Sequence, residues 1–162
     1  MQTTREEARE KSREQLLSNL QGLLEKNYDA EKGFRNAITN VKNEHLKEYL
    51  KNQSVKRHRF VSELDREIRL LNEKPIESGS TTAKLHRTWM DIKSSIAGND
   101  DEAVLEECIR GEKASEKEYR EAIEENHFPP QIGNVLNNHL KEIQMTLSQV
   151  KTLESLAENR EL

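Results

Sequence analysis

The sequence predicts an all-α fold, a bundle of four long helices. Apolar residues recur every three or four positions along four separate stretches, which is the spacing of one buried helix face. Helix-breaking residues then cluster in one region, because Pro75, the turn at 78–80 and the turn at 98–99 all fall between the second and third stretches. Two helices should therefore precede the long connection 72–99, and two should follow it.

Length and composition indicate one domain. A chain of 162 residues is long enough to bury roughly two-thirds of the surface that its unfolded form exposes. Hydrophobic residues make up 33% of the chain and charged residues 35%, a balance that long amphipathic helices tolerate because only one face of each is buried. We expect the bundle domain at 14–157, a polar, frayed lead-in at 1–13 and a frayed tail at 158–162.

The first two helices should form an antiparallel pair. The stretch Thr4–Glu7 has capping-box spacing, but the residues up to Glu14 lack apolar periodicity. Helix 1 is therefore expected from about Glu14 to Lys42. Asn43 should cap helix 2, which is expected to end at Asn72 before a proline.

A shorter helix is expected within the long connection. Thr81 or Thr82 can cap it, and its apolar face should cover one side of the bundle. The apolar residues of this helix are Leu85, Trp89, Ile92 and Ile96. We expect Trp89 to pack on the bundle.

Helices 3 and 4 should form the second pair. Asn99 and Glu102 have capping-box spacing at the start of helix 3, and the run at 127–130 ends it. The last proline of that run suits the first turn of helix 4, which should continue to about Ala157. Gly111 inside helix 3 costs about 1 kcal/mol relative to Ala, so it indicates close packing or a local bulge. Two tight turns and one long crossover give the connectivity of ferritin-like bundles.

Several polar residues interrupt the apolar stripes and should face the core. They are Glu31 on helix 1, Gln53 and Arg57 on helix 2, Glu112 on helix 3, and His139 and Glu142 on helix 4. Each residue rises about 1.5 Å along its helix, so Glu31, Gln53 and Glu112 should share one layer. Arg57 and Glu142 should lie about a turn deeper.

One interpretation of these residues is structural. A charge inside a bundle is costly unless it is paired. Arg57 could fork to Glu31 and Glu112. Gln53 and Tyr28 would complete the hydrogen bonds, and the resulting polar core would fix the register of the helices.

The alternative interpretation is a metal site that handles iron or oxygen. Its ligands would be Glu31, Glu112, His139 and Glu142, with iron or manganese as the metal. His139, however, should fall lower in the bundle, toward Tyr119 and Glu63. A di-iron bundle also needs Glu-x-x-His on two helices, and the match from Glu124 to His127 lies at the end of helix 3. We favour the structural interpretation, with no cofactor.

Charge and motifs exclude several function classes. The net charge of -4 gives no overall attraction for nucleic acid or acidic membranes. Cys108 is the only cysteine, so one chain cannot form a disulfide or a cysteine-based metal cluster. No apolar run approaches the roughly 18 residues of a membrane span, and the first residues are too polar for a signal peptide. We expect a cytoplasmic protein that is not an enzyme, since no nucleophile-base, phosphate-loop or dinucleotide motif is present.

Short motifs give the chain a family resemblance. They are Arg-x-Trp-Met-Asp-x-Lys at 87–93 and Arg-Gly-Glu at 110–112, with Asp29, Gly33-Phe34, Phe60 and Glu63-Leu64. From about Leu16 to Leu153 the chain resembles a bacterial family of small ferritin-like four-helix-bundle proteins of unknown function. This resemblance implies the ferritin-like fold. With the amphipathic crossover, it also implies a homo-oligomer such as a dimer.

The resemblance implies no activity for this chain. The wider ferritin-like class handles iron or activates oxygen, but that chemistry belongs to particular ligand sets. Gln53 or Arg57 stands where helix 2 of that class should supply Glu and His. A protein partner is expected, but the sequence does not identify it.

Overall fold

The computed structural model describes residues 3–79, 89 and 100–158. Within these ranges every regular element is helical, which confirms the all-α prediction. The elements are α1 (Thr4–Ala37), a short 3₁₀ helix (Ile38–Asn40), α2 (Glu44–Leu70), α3 (Asp101–Glu125), α4 (Pro130–Gln149) and α5 (Leu153–Glu158).

Helix α1 begins at Thr4 rather than at Glu14. A capping box starts it: the Glu6 N–H donates to Thr3 Oγ1 at 3.2 Å, and the Thr3 N–H donates to Glu6 Oε2 at 2.9 Å. The first turns are exposed to solvent, so they left no apolar periodicity in the sequence. Capping and helix propensity extend the helix where no core is available to stabilise it.

The turn between α1 and α2 also receives the start of α3. Helix α1 ends at Ala37, earlier than the Lys42 expected, and Asn43 caps α2 as predicted, accepting the Leu46 N–H at 3.0 Å. The Asp101 carboxylate accepts the backbone N–H of Asn43 at 2.7 Å and that of Lys42 at 3.1 Å. Helices α1, α2 and α3 therefore share this end of the bundle.

Helix α2 ends at its predicted place through a left-handed residue. Asn72 has φ 62, a conformation that Asn tolerates better than most side chains. The Asn72 N–H donates to the Arg69 carbonyl at 2.9 Å, and the Glu73 N–H donates to the Ile68 carbonyl at 3.3 Å. This paired arrangement satisfies two carbonyls at the helix end.

Two helix boundaries in α3 and α4 differ from the prediction. Asp100 caps α3, accepting the Glu102 N–H at 3.1 Å, whereas the predicted cap, Asn99, lies outside the described residues. Pro130 begins α4 as predicted, but the helix ends at Gln149 instead of continuing to about Ala157. Ser155 Oγ accepts two backbone N–H groups, from residues 151 and 152, and this local bonding starts α5 as a separate turn.

The described helices pack together as a bundle. Helix α1 packs against α2, and α3 against α4; α1 also contacts α3, and α2 contacts α4 and α5. The core consists of two apolar clusters, one around Phe34 near the α1–α2 turn and one around Phe60 toward the other end. Buried polar side chains lie between these clusters.

Trp89 fits against the bundle as predicted. It is helical and 5% exposed, and its ring centroid lies 4.9 Å from that of Phe34. A Cβ on Gly33 or on Gly111 would come within 2.8 Å of the indole, so both glycines make room for it. The rest of the predicted crossover helix lies outside the described residues. None of the helices within them is long and apolar enough to cross a membrane.

Candidate functional site

A buried arginine joins three helices at the centre of the molecule. Arg57 on α2 is 1% exposed. Its Nη2 donates to Glu112 Oε1 on α3 at 3.0 Å, and its Nη1 donates to Asn27 Oδ1 on α1 at 2.8 Å. The predicted contact between Arg57 and Glu112 is therefore present. We define Asn27, Arg57 and Glu112 as the Arg57 layer.

Glu31 is not part of this layer, contrary to the prediction. Its carboxylate lies at the edge of α1, where it contacts His58 Nδ1 at 3.2 Å and Arg35 Nη2 at 3.5 Å. Asn27, one helical turn earlier, takes its place. Asn27 follows Leu20 and Leu23 at helical spacing, so the apolar stripe already contained the signal that identifies it.

The tyrosine of the polar core is Tyr119, not the predicted Tyr28. Tyr28 is only partly buried, whereas Tyr119 is 2% exposed. Asn27 Nδ2 donates to the Tyr119 hydroxyl at 2.8 Å. The hydroxyl lies 2.9 Å from His139 Nδ1, and His139 Nε2 lies 2.5 Å from Glu63 Oε2. His139 thus lies beside Tyr119 and Glu63, as its height in the bundle predicted.

The hydrogen bonds determine how His139 holds its proton. The Tyr119 oxygen already accepts from Asn27, so its own hydrogen is free to go to His139 Nδ1. A neutral imidazole with Nδ1 as acceptor carries its proton on Nε2, which then donates to the Glu63 carboxylate. This one arrangement of protons satisfies every hydrogen bond in the series from Asn27 through Tyr119 and His139 to Glu63. A doubly protonated ring would leave the Tyr119 hydrogen without this acceptor.

Burial supports the neutral form of His139. The ring is 0% exposed and stacks on Phe60 with centroids 3.9 Å apart. Burial lowers the pKa of His139, and the bond to Glu63 offsets part of that effect. Burial tends to raise the pKa of Glu63, but the hydrogen bonds from His139 and Arg59 outweigh it and lower that pKa.

Glu63 connects the buried hydrogen bonds of Tyr119 and His139 to a surface groove. The groove lies between α2 and α4 and has a volume of about 460 Å³. Its lining residues are Arg59, Glu63, Arg66, Glu67, Val135, Asn138, Lys141 and Glu142. Arg59 bridges Glu63 and Glu142 there. Glu142 therefore lies in the groove wall and not in the core, where its position on helix 4 had placed it.

The predicted metal ligands do not converge. Each has a separate partner: Glu31 contacts His58, Glu112 contacts Arg57, His139 contacts Glu63, and Glu142 contacts Arg59. Across residues 3–79, 89 and 100–158, no group of three or more His, Cys, Asp or Glu side chains could hold a metal ion. The geometry combines these residues into ion pairs and hydrogen bonds.

Within the described part of the chain, three buried polar atoms of the core have no hydrogen-bond partner. They are the Tyr49 hydroxyl, Gln53 Nε2 and Arg57 Nε. Gln53 is 1% exposed, so its predicted burial is confirmed, but its amide nitrogen does not complete the bonding of the Arg57 layer. The sequence offered no signal for Tyr49, which reads as an ordinary apolar position on α2.

Comparison with known proteins adds a family. The family described as "Domain of unknown function (DUF2383)" matches residues 15–125. This range covers α1 from its first apolar turn, α2, the connection and all of α3. A comparison with curated proteins finds no match.

Proposed function

Because the chain belongs to the DUF2383 family, whose description names no activity, we propose a function from the geometry of the described residues. The protein is a non-enzymatic binding or structural protein, built on a ferritin-like bundle whose core is held by the Arg57 layer. It acts on partners through its outer surface.

The order of the helices supports a ferritin-like topology. Helix α3 starts at the α1–α2 turn, where Asp101 binds the turn backbone. Helix α2 ends at the opposite end of the bundle, where Arg13 near the start of α1 donates to the Leu71 carbonyl at 2.6 Å. The connection between α2 and α3 must therefore span the length of the bundle. A two-plus-two bundle with one long crossover has this requirement.

The observation that carries the non-enzymatic proposal is the position of Arg57. Its guanidinium occupies the centre of the bundle, where ferritin-like enzymes carry carboxylate and histidine ligands. The positive charge repels a metal cation and binds Glu112 itself at 3.0 Å. Tyr119 and His139, which could serve acid-base chemistry, are almost fully buried and bonded to each other. They present no reactive atom to a substrate.

Metal retention tests this proposal directly. Wild type and Glu112→Ala would be purified without oxygen, incubated with Fe(II) or Mn(II), desalted and analysed by mass spectrometry for metal content. We expect no metal retained by either protein, because Arg57 neutralises Glu112. One or two ions per chain in wild type, lost in Glu112→Ala, would contradict the proposal and support the iron or manganese alternative.

We also propose that the protein forms a homodimer through the face of α2 and α4. The groove carries three cationic and three acidic side chains, so a two-fold axis could pair opposite charges from two copies. The large exposed hydrophobic residues of the described ranges are Val55, Leu70 and Met145. All three lie on these two helices.

A further inference from the structure

One series of hydrogen bonds joins all four long helices. It begins at Asn27 on α1, which donates to the Tyr119 hydroxyl on α3 at 2.8 Å. That hydroxyl lies 2.9 Å from His139 Nδ1 on α4, and His139 Nε2 lies 2.5 Å from Glu63 Oε2 on α2. A single imidazole ring therefore joins α4 to both α2 and α3.

The two bonds of His139 require different states of its two nitrogens. Burial raises the pKa of the Tyr119 hydroxyl, so the hydroxyl keeps its hydrogen and needs an acceptor. His139 Nδ1 is that acceptor, while Nε2 donates to Glu63. A second proton on Nδ1 would turn this acceptor into a donor. The Tyr119 hydrogen would then lose its bond on a side chain that is only 2% exposed, a place where an unpaired polar group is costly.

Two arginines of α2 also oppose a positive charge on His139. The imidazole stacks on the Phe60 ring with centroids 3.9 Å apart. The guanidinium carbon of Arg57 lies 5.6 Å from the same Phe60 centroid, and that of Arg59 lies 5.2 Å from it. Both cations therefore lie close to the place where a protonated imidazole would carry its charge.

The acidic side chains near the ring favour a second proton less than the rest of the site opposes it. Glu63 bonds the ring directly, but it also bonds Arg59. Glu142, one turn further along α4, bonds Arg59 as well. Burial lowers the pKa of His139 most, the bond to Glu63 raises it, and Arg57 and Arg59 lower it again, so that the net shift is downward.

We propose that His139 is an acid-sensitive link between the helices. Its neutral ring joins α4 to α2 and α3, and a proton on Nδ1 breaks the bond to Tyr119. The folded protein therefore resists this proton, whereas the unfolded chain accepts it below the ordinary histidine pKa of about 6.5. The stability that the link supplies is complete above that pH, and it is lost as pH falls from there toward the lower pKa of the folded state.

The pH dependence of unfolding tests this link. Wild type, His139→Gln and a control, His127→Gln, would be unfolded in urea at about pH 7.5 and about pH 5.5, one unit on either side of the ordinary pKa. One proton bound only by the unfolded chain raises the unfolding equilibrium constant about tenfold over this range. The rise in wild type should therefore be about ten times the rise in His139→Gln.

The control separates His139 from histidines in general. His127 is exposed and forms no ion pair or hydrogen bond with the described residues, so His127→Gln should show the same rise as wild type. An equal rise in wild type and His139→Gln would overturn the proposal.

Nitrogen-15 NMR of wild type provides a second measurement, which decides the question even if His139→Gln does not fold. In the folded protein at about pH 5.5, one unit below the ordinary pKa, we expect a proton on His139 Nε2 and none on Nδ1. Protons on both ring nitrogens in the folded state would overturn the proposal. A proton on Nδ1 alone would overturn it as well, because Tyr119 would then have no acceptor.

Discussion

Arg57 links three helices through one side chain. Its two terminal nitrogens reach Asn27 on α1 and Glu112 on α3 from a position on α2. A buried ion pair contributes little net stability over an apolar replacement of both partners, because both charges must be desolvated. Loss of one partner is different, since the remaining charge stays buried and uncompensated.

Arg57→Met should therefore be strongly destabilising. The variant leaves Glu112 buried without a cation, and removal of one partner from such a pair costs about 3–5 kcal/mol. Urea unfolding at neutral pH, followed by circular dichroism, measures the free energy of unfolding. The double variant Arg57→Met/Glu112→Met should recover much of the loss, because it removes both charges.

Arg59→Met is the matched control for this prediction. Arg59 lies on the same helix and pairs with Glu63 and Glu142, but its side chain is 45% exposed. Exposed ion pairs contribute about 0–1 kcal/mol, so the control should unfold near wild type. An Arg57→Met variant no less stable than Arg59→Met would show that Arg57 does not neutralise a buried carboxylate.

The sequence predicted some members of the polar core and missed others for a geometric reason. Arg57, Gln53 and Glu112 lie centrally on their apolar stripes and are buried as expected. On α1, however, several polar residues share the buried side within two turns. Helical spacing alone does not decide which of these residues faces a neighbouring helix and which lies at the edge of the buried face. The long side chain of Glu31 turns outward to His58, while the short Asn27 stays inside.

At the scale of helices, two glycines make room for the indole of Trp89. Gly33 on α1 and Gly111 on α3 face the same Trp89 indole, and a Cβ on either would approach it to 2.8 Å. The sequence indicated close packing at Gly111 from its unfavourable propensity. Gly33 has the same unfavourable propensity inside helix 1, but propensity could not show that both glycines face one indole.

Gly111→Ala should destabilise the protein, although alanine is the better helix former. The new methyl group overlaps the indole, and overpacking a core typically costs about 1–3 kcal/mol. The gain in helix propensity returns only about 1 kcal/mol. Thermal unfolding should show a lower Tm. Trp89 is the only tryptophan, so a red shift of its fluorescence would report its displacement.

Gly22→Ala separates packing from propensity. Gly22 also lies within a helix, but no atom is within 4 Å of the Cβ that alanine would add there. This variant should be as stable as wild type or more stable, with unchanged fluorescence. If Gly111→Ala gained stability to the same extent, the indole would not occupy the space above Gly111.

Helix boundaries were predictable where a residue type that favours helix ends occupies them. Asn43, Asn72 and Pro130 all mark helix ends at their predicted places. The break after Gln149 was missed because the apolar stripe runs through it to Leu153 and Leu156. The hydroxyls of Thr152 and Ser155 bind the local backbone N–H groups, and this local bonding outweighs the periodic pattern.

At the scale of the whole molecule, the face of α2 and α4 is the proposed dimer interface. Arg66 and Lys141 line its groove, and neither forms an ion pair within the described part of the chain. Glu67 is 6% exposed, and both of its carboxylate oxygens accept from the neutral Gln131 amide. A second copy would supply acidic side chains to Arg66 and Lys141, and a cationic side chain to Glu67.

Met145→Glu should weaken this association. Met145 is 58% exposed beside the groove, and a buried carboxylate there would disfavour the interface. In sedimentation velocity, wild type should have twice the mass of one 18.9 kDa chain, and the variant should shift toward that of a single chain. Ala8→Glu, on the exposed first turns of α1, is the control of equal charge. Wild type that sediments as a single chain would refute the dimer.

The all-α fold was predictable because apolar residues recur at helical spacing along four separate stretches. The helix-breaking residues are gathered in one connection, so few arrangements of these four helices are possible. The pairing of the helices followed from the short turns at 41–43 and 126–129, since short turns require antiparallel neighbours. The groove was not predictable. It depends on how α2 and α4 tilt against each other, and no pattern within one helix encodes that angle.

The division of the core into two apolar clusters bears on misfolding. Apolar side chains alone would let one helix slide past another by a turn, about 5.4 Å, with little change in contact. Here such a slip would carry the Arg57 guanidinium away from Glu112 and into the cluster around Phe34 or that around Phe60. The buried charge of Arg57 therefore penalises every alignment of the helices except the native one.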